Sequence, residues 1–172
     1  VRVHVINVGQ GDAVLVSYPE GVHVLVDGGD VDSGSEVVEY LLSNDVNHLD
    51  LVVVTHLDRD HYGGLTAVLT SEISVDRVWR SCGRTSGGAD LADFESAVAN
   101  LVENAGLDTL TVAQGVSLEA LQDGVFDVVH PAQVPAEACD DSDDRNNQSV
   151  VCRVTYGGFR FLLTADVMED AE

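Results

Sequence analysis

Two histidines and two aspartates fall within six consecutive positions, His56-Leu57-Asp58-Arg59-Asp60-His61. Imidazole nitrogen and carboxylate oxygen both bind divalent metals, so four donors in so short a segment point to a metal centre. The plainer alternative is a polar loop in an acid-rich chain, where aspartate is frequent by composition. Position favours the metal reading. The segment leaves Leu51-Val52-Val53-Val54-Thr55, a continuous apolar run with no polar face, as expected of a strand covered on both sides. Donors there are carried by a rigid element.

The elements around that strand follow from periodicity. Val3, Val5 and Val8, then Val14 and Val16, then Val22, Val24 and Val26 recur at near-alternating spacing between turn residues, which predicts three short strands. Helices are expected over Ser35 to Asn44, Gly64 to Thr70 and Ala89 to Asn104, the last ending at Gly106. Strands are expected at Val75 to Arg80, 109 to 112, 125 to 129, Ser149 to Thr155 and Phe159 to Thr164, with an exposed loop from Pro131 to Asn147. A meander followed by alternating strands and helices is a layered α/β pattern, and no repeat or linker divides the 172 residues into two domains.

Composition sets outer bounds. With 45% hydrophobic residues the chain can build a core and is not a disordered acidic tail. No apolar run approaches the roughly 20 residues that cross a bilayer, and the N-terminus as given lacks a basic stretch followed by an apolar one. The chain starts at Val1 without an initiator Met, which fits a processed precursor or part of a longer protein. Extracellular or cell-surface placement goes with the first, cytoplasmic placement otherwise. Cys82, Cys139 and Cys152 are odd in number and form no C-x-x-C pair, so ordinary thiols are expected rather than a disulfide framework or thiolate zinc site.

The net charge of −22 argues against nucleic acid as a partner when taken alone, because phosphate binding rests on clustered cations. All eight basic residues are Arg, and Asp outnumbers Glu twenty to ten along the whole chain. That pattern resembles proteins of salt-loving organisms. At molar salt the Debye length is about 3 Å, which screens repulsion of an anionic substrate.

Further segments carry a family resemblance. Asn7-Val8-Gly9-Gln10-Gly11-Asp12-Ala13, Leu25-Val26-Asp27-Gly28-Gly29, Thr55 to Gly64, Val129-His130-Pro131, Asn146-Asn147-Gln148-Ser149 and Leu162-Leu163-Thr164-Ala165-Asp166 stand in the order seen in the metallo-β-lactamase superfamily. The superfamily's H-x-H-x-D-H motif sits at a strand end. The chain is most similar to the domain found in bacterial DNA-uptake (competence) proteins of the ComEC type. The resemblance implies an αββα sandwich with two divalent metal ions, Mn or Zn, at the sheet edges. It assigns His56 and Asp58 to one metal, Asp60 and His61 to the other, and Asp166 to a bridge between them. Asp60 would also hold the attacking water, Asp27 would brace the ligand loop and Asp12 would lie beside the metals. Two such metals clamp a phosphoryl oxygen and generate hydroxide near neutral pH.

Two departures from the family pattern matter. Asp58 stands where most branches have a second histidine, which substitutes a harder oxygen ligand and weakens the preference for zinc. The chain also ends six residues after Asp166, before the family's final histidine ligand, so the second sheet is expected to be incomplete on its C-terminal side. Gln10, Asn146 and Asn147 are candidates to contact substrate. Arg80 and Arg84, with Arg77 around Trp79, combine charge and a ring as single-stranded DNA sites do, although a solvated strand edge over a buried Trp is the better account of them.

The leading expectation is a metal-dependent hydrolase, a phosphodiesterase or nuclease acting on DNA, with single-stranded DNA favoured. One rival is hydrolysis of a small acyl substrate such as a lactone, thioester or β-lactam. The other is a non-catalytic binding module that keeps the fold.

Overall fold

The computed structural model describes residues 1–82, 88–120, 123–134 and 146–167. Its N-terminal half builds a six-stranded sheet. Strands β1 (Arg2–Val5), β2 (Val14–Ser17) and β3 (His23–Val26) form the expected antiparallel meander. Helix α1 (Gly34–Ser43) and the short strand β4 (His48–Leu49) then lead into β5 (Leu51–Val54), which lies parallel to β3. A single turn, α2 (Arg59–Tyr62), and helix α3 (Leu65–Thr70) follow, then β6 (Ser74–Val75) and β7 (Arg77–Arg80). Helix α4 (Ala89–Ala105) ends at Gly106, whose φ of +72° supplies the left-handed cap expected there. Strand β8 (Asp108–Thr111) completes the order β1-β2-β3-β5-β7-β8.

The second sheet holds β9 (Ser117–Ala120), β10 (Gly124–His130), β11 (Val151–Tyr156) and β12 (Phe159–Leu163) in the antiparallel order β12-β11-β10-β9. Alternation along each strand decides what lies on either side of the first sheet. Leu15, Leu25, Val52, Val54 and Val78 face Val37, Leu41, Leu65, Val68 and Phe94 of the helices. Their neighbours Val16, Val24, Val26, Leu51, Val53 and Trp79 face Phe126, Val128, Cys152 and Val154 of the second sheet. All four residues of β5 are fully buried, because this strand is central and covered on both faces.

These layers, helices on sheet on sheet, are three of the four of the αββα sandwich, and among the described residues the helices that build the core pack on the first sheet. Among the described residues no helical side chain joins the core between the sheets. Several expectations are corrected. A helical turn, α2, stands inside the metal motif where a loop was expected, and β4, β6 and β9 are additional strands. Two-residue strands such as β4 and β6, and a single helical turn such as α2, are too short to impose a readable hydrophobic period. Cys82 is disulfide-bonded to a partner outside the described residues, against the expectation of ordinary thiols, whereas Cys152 is a buried free thiol. The acidic run 140–144 lies outside the described residues.

The turn at Gly9-Gln10-Gly11 sits directly on α2. Gly11 has φ +86°, and a Cβ there would lie 1.7 Å from the Asp60 carbonyl oxygen, whereas Gly9, at φ +75°, has nothing within 4 Å. Gly11→Ala is therefore expected to destabilise the fold by more than the roughly 1–2 kcal/mol of left-handed strain that Gly9→Ala adds. Comparing the two denaturant midpoints checks this, and equal losses would contradict the contact.

Candidate metal centre

The site is assembled where β3 and β5 end side by side. Parallel pairing of Val26 with Val53 brings Asp27 level with the chain leaving β5. Asp27 is completely buried and adopts φ +57°, a left-handed conformation that turns its carboxylate towards Thr55 and His61. Its Oδ1 accepts the Thr55 N–H at 2.9 Å, and its Oδ2 accepts the Thr55 hydroxyl at 2.6 Å and the His61 Nδ1–H at 2.9 Å. A buried carboxylate is tolerated because these donors replace water.

This arrangement fixes which ring nitrogens face outward. Thr55 has one hydroxyl proton and gives it to Asp27, so at its 3.0 Å contact with His56 Nδ1 it must accept. His56 therefore carries its proton on Nδ1 and offers a lone pair at Nε2. That Nε2 is buried without a hydrogen-bond partner. His61, donating from Nδ1, likewise presents Nε2. The two rings lie 4.0 Å apart between centroids, and donor atoms of His56, His61 and Asp166 all lie within 4.8 Å of one another. Asp58 Oδ2 is 3.6 Å from His56 Nε2, and Asp166 Oδ2 is 3.6 Å from His61 Nε2. Those spans exceed a charge-assisted hydrogen bond and suit two ligands of one small cation. The orphaned Nε2 and this donor set fit a divalent metal.

Asp60 lies on α2 beside this group, where Gln10 Nε2 donates to its Oδ2 at 3.1 Å. Burial opposes ionisation of Asp60, but the Gln10 hydrogen bond and the nearby histidines hold its carboxyl below the usual value. Asp12 is shifted the other way, first by burial and then by the charges of Asp27 and Asp166, against the pull of His61. Asp12 and Asp27 also line a cleft of about 200 Å³ whose apolar wall is Val5, Phe161 and Leu162. Gln10 thus touches a ligand candidate.

The other candidates are placed less directly. Asn146 and Asn147 open a short 3-10 turn, and the Val150 N–H just beyond it donates to the Thr55 carbonyl at 2.8 Å, which ties this segment to the end of β5. The Asn147 carbonyl oxygen contacts His130 Nε2 at 2.9 Å. Arg80 is not brought to the metal donors. Its guanidinium is held by both carboxylate oxygens of Glu95, at 2.7 and 3.0 Å, over a buried Trp79. Arg84 lies outside the described residues. Sequence reading missed the part played by Thr55, which orients both Asp27 and His56, and its place directly after the buried strand was the available signal.

The matches to known proteins agree with this geometry. The family model of the metallo-beta-lactamase superfamily matches residues 6–73, the segment that supplies Asp12, Asp27 and the whole His56 to His61 motif. The fold is that of the metallo-beta-lactamase structures with which the chain aligns. Its sequence is similar to ComE operon protein 3 of Bacillus subtilis (strain 168), at 28% identity over 99% of this chain and 23% of that protein. The chain thus spans about a quarter of that relative. Among solved structures, a Cronobacter sakazakii metallo-beta-lactamase with a HARLDQ motif has the same fold, with TM-score 0.57, 15% identity and coverage of 93% of this chain and 60% of that one. Zn(2+)-bound PqqB from Methylobacterium extorquens aligns with TM-score 0.54 and 16% identity over 88% of this chain and 51% of its own.

In the metal-free protein, burial works against a charged His61, but its hydrogen bond to Asp27 and the charges of Asp27, Asp166 and Asp60 outweigh it and carry the ring up to about 9. This is above the roughly 6.5 of an unfolded histidine, so the ring's contribution to stability is complete below that value and is lost as pH rises through about 9. A metal taking Nε2 must displace a proton there. Metal addition at about pH 7 is expected to release close to one proton per chain, and almost none at about pH 10. Calorimetry in buffers of different ionisation enthalpy measures this, and pH-independent release would contradict it.

Proposed function

We propose that this chain is a metal-dependent hydrolase whose substrate is a phosphodiester, with DNA, in particular single-stranded DNA, favoured. The buried, unpartnered Nε2 of His56, facing the same space as His61 and Asp166, carries this reading. His56 and Asp58 would hold one ion, Asp60 and His61 a second, and Asp166 would serve both. Such ions polarise a phosphoryl oxygen and lower the pKa of water when bound. Asp60, kept ionised by Gln10, orients the attacking water, and Asp27 with Thr55 keeps both imidazoles in the tautomer that leaves Nε2 outward. The resemblance to competence-protein domains favours DNA. The oxygen-rich donor set, with Asp58 in place of histidine, favours Mn²⁺ competing with zinc.

The chain's own charge gives the phosphate little help. Arg59 is held by Asp30 and Asp90, Arg80 by Glu95 and Arg153 by Asp127. Attraction of a polyanion therefore falls to the ions, while a protein of net charge −22 repels it. We read the chain as one domain of a longer protein, in keeping with the 23% of its relative that it spans. The Cys82 disulfide supports the extracellular or cell-surface alternative, because such bonds persist in oxidising surroundings. A small acyl substrate is the second reading, favoured by the apolar wall of Val5, Phe161 and Leu162.

Cleavage of single-stranded DNA, a phosphodiester dye and a lactone by the chain, and by the longer polypeptide that contains it, separates these readings. With Mn²⁺ present, Asp60→Asn is expected to leave the fold intact and lower phosphodiester turnover at least 100-fold, a typical effect of losing a proton acceptor. Retained turnover would remove Asp60 from the reaction. DNA cleavage is expected to rise with salt into the molar range, the reverse of proteins that bind phosphate through arginine and lysine. Exclusive turnover of the lactone would establish the acyl reading, and a metal-loaded protein inert to every substrate would establish a binding module.

A further inference from the structure

A second group of donors lies at the opposite end of the parallel strands. Strands β4 and β6 pair in parallel with His48 opposite Ser74 and Leu49 opposite Val75. Alternation puts His48 and Asp50 on one face of this pair, and Ser74 and Asp76 on the same face. Asp50 and Asp76 are next in register. Like charges side by side destabilise a sheet unless something compensates them.

The side chains are arranged for a cation. His48 Nδ1 lies 2.9 Å from the Ser74 hydroxyl, which turns the ring so that Nε2 points away from Ser74. That Nε2 faces Asp50 Oδ1 at 3.9 Å and Asp76 Oδ2 at 3.5 Å. An imidazolium bound to either carboxylate would close to about 2.7–2.9 Å. The observed spans are instead those between ligands of one ion, and the three donor atoms all lie within 4.8 Å of one another. The other oxygen of Asp50 is tied to β3, accepting the His23 N–H at 2.8 Å, so this carboxylate is held in place before any ion arrives.

We propose that His48, Asp50 and Asp76 form a structural site for a first-row divalent cation, distinct from the hydrolytic centre. Asp50 precedes β5 and His56 follows it, which puts the two sites on the order of 20 Å apart along that strand. One nitrogen and two carboxylates, with open positions left for water, suit Mn²⁺ or Zn²⁺ better than Ca²⁺, which prefers an all-oxygen shell. The ion would join the starting ends of β5 and β7, with Asp50 carrying the link to β3, and so clamp the sheet from the end opposite the reaction.

Mn²⁺ titration of the intact protein, followed by paramagnetic broadening of the histidine ring signals, tests this. The His48 signal is assigned by its disappearance in His48→Gln. Mn²⁺ is expected to broaden His48, and Asp76→Asn to raise the concentration needed at least tenfold while His56 and His61 broaden as before. Equilibrium dialysis is expected to show one Mn²⁺ equivalent fewer for His48→Gln than for the wild type, an outcome that stands even if Asp76→Asn folds poorly. A His48 signal that stays sharp while His56 and His61 broaden overturns the site and leaves the hydrolytic centre untouched. An unchanged Mn²⁺ stoichiometry in His48→Gln overturns it equally. So does an Asp76→Asn variant in which Mn²⁺ broadens His48 at the same concentration as in the wild type.

Discussion

The buried carboxylate of Asp27 is the interaction on which the candidate metal centre depends. It has no contact with water, and its oxygens are taken up by the Thr55 backbone, the Thr55 hydroxyl and His61. Removing one partner of a buried, hydrogen-bonded charge costs about 3–5 kcal/mol, more than the net value of most individual contacts in a fold of this size. The same carboxylate fixes two tautomers, one directly and one through Thr55. A strained left-handed residue is thus maintained because its side chain organises both imidazoles.

Close backbone packing holds the three loops that carry the donors. The Gly28 N–H donates to the His61 carbonyl, the Gly29 N–H to the Asp12 carbonyl and the Gly64 N–H to the Gly29 carbonyl. A Cβ on Gly28 would meet the Leu65 backbone at 2.8 Å, and one on Gly64 would meet the Gly28 carbonyl at 2.0 Å. Loops packed this tightly can be set to the accuracy that metal ligation requires. Arg59, the first residue of α2 and the neighbour of both Asp58 and Asp60, is fastened through Asp30 and Asp90.

Charge separates this domain from proteins that grip phosphate with arginine and lysine. Its paired arginines act as internal clamps, joining helix to strand or strand to strand. At a net charge of −22 the surplus is acidic, and the donor groups offer carboxylates to cations. The group His48, Asp50 and Asp76 follows the same logic, with adjacent acids made compatible by a cation that the chain does not itself supply.

The motif His56 to His61, the fully buried strand before it and the meander ahead of it were legible from residue order, because a period of two and a continuous apolar run are local properties. The order of the motif segments from Asn7 to Asp166 carried the fold family by resemblance. Local sequence did not disclose that Thr55 turns His56, that Gln10 reaches Asp60 across 50 positions, that Arg80 is committed to Glu95, or that Cys82 is bridged. Nor did it show that Asp50 and Asp76 stand side by side. Those pairings exist only once β3, β5 and β7 are parallel and in register. What residue order by itself determined was therefore which donors the chain possesses and which strand presents them. Which nitrogen faces outward, and which carboxylate faces which ring, was decided by the tertiary structure, because a lone pair is directed by a hydrogen bond to a partner distant in the chain.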